Sequence, residues 1–125
     1  MKIEYLADAS LIRLFDFDPE SALRLKTIFE ALAAGEHNEI ILTDEPEVTP
    51  LNDCHLTLRL AAHDDGVSPK PSPPHFEWRL SPDGWATAAQ MAEPFCYPPT
   101  HASERSQWLG AIRPTRILLS PTGKW

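Results

Sequence analysis

Apolar residues recur along the chain with two different periods, and the change of period divides it into elements. In residues 2–7 Ile3 and Tyr5 alternate with polar neighbours, and residues 10–17 form a denser apolar run, SLIRLFDF. Both patterns predict strands, joined at Asp8-Ala9. The second is apolar on both faces, which predicts a central, covered strand. Over residues 19–34 the period becomes helical: Leu25, Ile28, Phe29 and Leu32 fall at i, i+3, i+4 and i+7. Asp18 is placed to cap the first turn, Pro19 fits a position whose N–H would have no partner, and Glu20 complements the helix dipole. Gly35 is placed to end the helix in a left-handed conformation.

Residues 39–43 predict a short strand, and 44–53, acidic and containing Pro46 and Pro50, a loop. Residues 54–62 alternate, with Cys54, Leu56, Leu58 and Leu60 on one face. Residues 75–80 alternate in the same way, with Phe76, Trp78 and Leu80 inward and Glu77 and Arg79 outward. The stretch between them, HDDGVSPKPSPP, reads as a long proline-rich hairpin loop. After the turn residues Ser81-Pro82-Asp83-Gly84, the positions Trp85, Ala88, Ala89 and Ala92 predict a short second helix ending before Pro94. Residues 94–104 are irregular in pattern, and 106–110 with 115–120 predict a last hairpin around Pro114. The order β-β-α-β-β-β-α-β-β predicts an α+β fold, a two-layer sandwich in which one long and one short helix cover a mostly antiparallel sheet.

Composition narrows the class. A chain of 125 residues, 42% of them hydrophobic, fits one domain spanning 1–125 with a core large enough to need no metal or disulfide. Thirteen prolines, about twice the usual share, punctuate many short elements. Glu4, Asp8 and Arg13 interrupt the apolar runs of the first fifteen residues, so no signal peptide is read there. No apolar run approaches the length of a membrane span. A cytoplasmic protein with Cys54 and Cys96 as reduced thiols is expected.

Charge changes the picture more. Net charge is −7, and no Lys or Arg occurs between Lys26 and Arg59, where Glu30, Glu36, Glu39, Asp44, Glu45, Glu47 and Asp53 stand. After Glu104 the sign reverses with Arg105, Arg113, Arg116 and Lys124. A phosphate backbone would be repelled by the acidic part, so nucleic acid is not an expected partner. The simplest expectation is a solvated surface with the basic end lying near the acidic middle.

Three motifs resemble short uncharacterised bacterial proteins: the FDFDP entry to the first helix, the W-x-x-x-x-x-M-x-EPF run from Trp85 to Phe95, and the S-x-x-G-x-W ending from Ser120 to Trp125. The resemblance implies no activity and carries over no functional residue.

Candidate chemistry is sparse. His63, Asp64 and His75 flank the 64–74 loop and would form a nitrogen–oxygen metal site, and with it a metal-dependent enzyme, if the loop closes a hairpin. Exposed histidines beside an Asp-Asp-Gly turn are the simpler account. Cys54 and His55 are strand neighbours and point to opposite faces. Cys96 and His101 lack an orienting third group, so inert thiols are expected. Phe95, Tyr97 and Trp108 would line a small apolar ligand pocket beside the 94–104 loop. Trp78 and Trp85 are expected in the core. No nucleophile motif, phosphate-binding loop or cofactor signature occurs. What remains is a non-catalytic interaction protein. It would bind another protein, or itself as a homodimer, through Asp44, Glu45 and Glu47 of the acidic 36–53 surface, or through Trp108, Arg113, Arg116 and Trp125 of the C-terminal hairpin.

Overall fold

A computed structural model describes residues 1–97, 106–110 and 115–122. It contains nine strands and two α-helices among those residues, in an α+β arrangement. Strands β1 (Lys2–Leu6) and β2 (Leu11–Phe15) form an antiparallel pair. Helix α1 (Pro19–Ala33) follows, then β3 (Glu39–Ile41), β4 (Thr49–Pro50), β5 (His55–Leu60), β6 (Gly66–Pro69) and β7 (His75–Leu80). Helix α2 (Pro82–Ala92), β8 (Gln107–Gly110) and β9 (Arg116–Ser120) complete the order.

The strands divide between two mixed sheets, where their order in the chain pointed to one mostly antiparallel sheet. The first has the order β4-β1-β2-β9-β8 and the second β3-β5-β7-β6. Three neighbour pairs are parallel: β1–β4, β2–β9 and β5–β7. The parallel pairs need partners distant in sequence, which the local pattern of each strand does not record. An antiparallel bridge between Val67 and Thr115 ties the two sheets together.

The expectation for β2 is met: it lies between β1 and β9, with Leu11, Ile12 and Leu14 all fully buried. The two segments read as loops each contain a strand. Thr49–Pro50 adds a parallel edge to β1, and Gly66–Pro69 an antiparallel edge to β7. Both are short, carry proline and sit at sheet edges, where a missing N–H disturbs no inner ladder.

Helix α1 is built as its sequence dictates. The Asp18 carboxylate accepts from the Ser21 N–H at 2.9 Å. At the other end Gly35, at φ +75°, donates to the Leu32 carbonyl while the Glu36 N–H reaches the Ala31 carbonyl. That pair of bonds satisfies carbonyls the helix would otherwise leave open. Its buried stripe, Ala22, Leu25, Ile28, Phe29 and Leu32, faces the core. Phe29 meets Trp78 of β7 at 5.6 Å between ring centroids and Trp85 of α2 at 5.5 Å, and the two tryptophans lie 4.8 Å apart. No helix among the described residues is long and apolar enough to cross a membrane.

Helix α2 begins on a tight corner. The Ser81 hydroxyl oxygen accepts from the Gly84 N–H, and the Asp64 carboxylate accepts from both the N–H and the hydroxyl of Ser81 at 2.8 Å. A Cβ built on Gly84 would overlap Asp64 Oδ1 and touch Leu80 Cβ at 3.0 Å. An alanine inside a helix normally gains about 1 kcal/mol over glycine. Here the clash reverses the sign, because the carboxylate is short and pinned by two hydrogen bonds. Gly84→Ala is expected to cost about 1–3 kcal/mol, measured by chemical denaturation. In an Asp64→Ala background the same change becomes neutral or stabilising, and an equal loss in both backgrounds would refute the clash.

Candidate functional site

The inward alternation of β5 and β7 fixes what the outer face of their sheet presents. Leu56, Leu58, Phe76 and Trp78 are buried on the core side, so His55, Thr57, Arg59, His75, Glu77 and Arg79 face away. The parallel register sets His55 beside His75, Thr57 beside Glu77 and Arg59 beside Arg79. Glu39 of β3 adjoins Arg59, and Ser68 of β6 adjoins Glu77.

Glu77 is the centre of this face and its side chain is only 5% exposed. Its carboxylate accepts from Arg59 Nε at 3.0 Å, Lys70 Nζ at 3.1 Å and an Arg79 guanidinium nitrogen at 3.4 Å. Arg59 also pairs with Glu39, and Arg79 Nε lies 3.4 Å from Asp65. Three carboxylates thus meet three cations. Burial alone would push the Glu77 carboxyl up, but the hydrogen bonds and charges of Lys70 and Arg59 outweigh it and hold the group below its ordinary value. The bond to Glu77 likewise holds the Arg59 guanidinium above its ordinary value. A carboxylate kept ionised in this way is a poor proton carrier at neutral pH. Its chemistry is cohesion, joining β3, β5, β7 and the turn after β6.

The alternative metal site at His63, Asp64 and His75 is not assembled. β5 and β7 are parallel, so His75 begins its strand beside His55, their rings stacked at 5.3 Å. His63 follows the far end of β5, about 17 Å of strand away at ordinary rise. Asp64 is turned to Ser81, whose backbone and side-chain hydrogen bonds hold its carboxyl below the usual range. Among the described residues no three His, Cys, Asp or Glu side chains are arranged to hold a metal ion.

The other sequence candidates separate as well. Glu45 is paired with Arg24 at 3.2 Å, and Asp44 and Glu47 are exposed. Trp108 is 38% exposed on β8, with the Arg116 guanidinium 4.7 Å over its ring. β4, in the acidic segment, and β8 lie at opposite edges of one sheet. Arg116 therefore answers the tryptophan and not the acidic middle. Arg113, Trp125 and His101 lie outside the described residues. Phe95 packs in the core, edge-on to Phe17 at 6.1 Å, whereas Tyr97 is 61% exposed. Trp108 is paired in register with Leu118, which is buried outside the core cluster. Residues 98–104 of the loop expected to close a pocket around these three rings lie outside the described residues. Cys54 and Cys96 are free thiols, and burial, with the Glu4 charge, pushes Cys54 up to about 11.

Two clefts were not foreseen. One, about 410 Å3 and open, brings Asp44 and Asp53 of the acidic segment together with His55 and His75. The other, about 250 Å3, lies between α2, β6–β7 and the start of β9, with Asp64, Asp83, Thr87, Thr115, Trp78 and Leu109 among its walls. Reading 63–74 as a loop hid the strand β6 that forms part of the second. Comparison with known proteins adds no relative: no family model, no curated protein and no solved structure matches the chain.

The lowered Glu77 value fixes a pH dependence. Stability from this group is fully present above its ordinary value of 4.5 and is lost as pH falls through the lower folded value. Urea unfolding is expected to show Glu77→Gln less stable than the native chain at pH 7, with the gap narrowing as pH falls below 4.5. A gap independent of pH would show that Glu77 does not act through its charge.

Proposed function

We propose that the protein is a non-catalytic interaction module that engages a basic segment of another protein through its acidic 36–53 surface. The supporting observation is where the unpaired acids stand. Three acids of the charge-biased stretch are neutralised by nearby cations: Glu30 by Lys26, Glu39 by Arg59 and Glu45 by Arg24. Glu36, Asp44, Glu47 and Asp53 are exposed and have no basic partner among the described residues. Asp44 and Asp53 border the same open cleft, floored by the stacked His55 and His75. Lysine or arginine side chains of a partner would meet two carboxylates there at once, which favours protein over nucleic acid. A cytoplasmic setting fits the free, buried Cys54. Self-association as a homodimer is the same proposal with a second copy supplying the cations, Arg116 among them.

Glu45 is a poor probe because reversing it also breaks the pair with Arg24. The informative variant is Asp44→Lys with Asp53→Asn, because Asp53 stands at φ +59°, a left-handed conformation that asparagine tolerates and lysine does not. It is expected to keep the native melting temperature while losing partner capture and any dimer on a sizing column, and the native complex is expected to weaken as salt rises. Unchanged capture and unchanged oligomeric state in the double variant would overturn the acidic-surface proposal.

A further inference from the structure

We propose that the stacked His55–His75 pair makes the acidic 36–53 surface respond to pH. Neutral, the pair leaves the cleft open to a basic partner; protonated, it excludes that partner. This regulation rests on the acidic-surface reading above, whose site it shares.

The fold leaves the two rings no choice of neighbour. His55 and His75 are partners in the parallel register of β5 and β7, and their rings lie 5.3 Å apart with 23° between the planes. The backbone around them is pinned. The His55 N–H donates to the Pro74 carbonyl and the His75 N–H to the Ser72 carbonyl, each at 2.9 Å. The His75 carbonyl accepts from the Lys70 N–H at 2.8 Å. The strands therefore cannot part to relieve like charges on the rings without breaking these bonds. Imidazole is the side chain that ordinarily changes charge between about pH 5 and pH 8, so the pair can change the charge of the cleft in that interval. The other described groups lining the cleft do not. Carboxyl groups as a class ionise below it, and Cys54, pushed up to about 11, stays a thiol.

Charges face the pair from three elements. Asp44, in the turn after β3, and Asp53, in the loop before β5, line the same cleft, and both are exposed. Along β7, Glu77 stands two residues on from His75 and shares its face, but Arg59, Lys70 and Arg79 take up its charge. Asp44 and Asp53 are left to set the field. With neutral rings, the described cleft holds these two carboxylates and no cation. Each proton taken up by the pair offsets one of them, and the second proton is resisted by the first across 5.3 Å. A lysine or arginine of a partner and a proton on the pair thus compete for the same two carboxylates. Each weakens the other by the same factor: a basic partner drives protons off the pair, and falling pH drives off the partner.

The test uses the full chain and a hexaarginine peptide with blocked ends, whose charge is constant across the range because arginine stays protonated. Affinity is read by fluorescence anisotropy at about pH 8 and about pH 5.5, at one ionic strength. The native chain is expected to bind about tenfold more weakly at the lower pH, the effect of one added unit charge several ångström away. His55→Gln with His75→Gln is expected to match the native affinity at the higher pH and to lose the difference. Should that variant melt below the native chain, His75→Gln alone, at an exposed position, carries the same test with a smaller difference. In Asp44→Lys with Asp53→Asn, the ring resonances of both histidines are expected to titrate at lower pH than in the native chain. Native affinity equal at both pH values, the same loss in the glutamine variants, or unmoved histidine titrations would overturn the regulation and leave the acidic surface standing. No binding at either pH would overturn the acidic-surface reading and this regulation with it.

Discussion

Phe29, Trp78 and Trp85 come from three different elements and meet in the middle of the molecule. Each ring removes roughly 150–250 Å2 of apolar surface from water, more than most other side chains supply. Their contact is therefore what locks α1 and α2 against the sheet β3-β5-β7-β6. It also fixes the register of that sheet. A slip of β7 by one residue would turn Trp78 to solvent and bring Glu77 or Arg79 into the core, a far larger loss than any ladder bond recovers. Once Trp78 points inward, Glu77 must point outward beside Thr57 and Ser68, within reach of Arg59 and Lys70. The ionic network on one face is thus a consequence of aromatic packing on the other.

The parallel pairing of β5 with β7 carries a second consequence. Parallel neighbours need a connection of a dozen or more residues, because the chain must return to the starting end of the sheet. Here that connection is 61–74. It is usefully employed on the way, since Gly66–Pro69 becomes the outer strand of the same sheet and Asp64 reaches across to cap the corner of α2. This path separates His63 from His75 and sets His75 against His55. It also builds the wall of the cleft beside α2 from residues that look, in the sequence, like a solvated loop.

The elements legible from the sequence are those whose signals are local. The capped start of α1 at Asp18, its apolar stripe, its left-handed end at Gly35, the α2 stripe and the alternation of β5 and β7 are each written within one turn or a few strand residues. The misread segments are those decided by a distant partner. Thr49–Pro50 and Gly66–Pro69 have poor strand patterns and exist because β1 and β7 offer edges to them. The candidate site suffers from the same limit. The acidity of 36–53 is plain in the sequence, but which acids are neutralised depends on Arg24 and Arg59, which stand outside that stretch.

The acidic segment has a structural duty that must be separated from its proposed function. It supplies β3 at the edge of one sheet and β4 at the edge of the other. Exposed edges invite pairing with other chains, and charge, proline and short length are the usual protections. Glu39, Pro50 and strands of three and two residues provide all of them. Edge protection, however, does not depend on the sign of the charge, and lysine serves it as well as glutamate. The stretch between Lys26 and Arg59 contains no base at all, and several of its acids, Glu36, Asp44, Glu47 and Asp53, lie outside the edge strands themselves. Self-repulsion among these carboxylates costs stability without adding protection to the edges. Edge protection therefore leaves the uniform sign unaccounted for, and it is on that sign that the proposed complementarity to a basic partner rests.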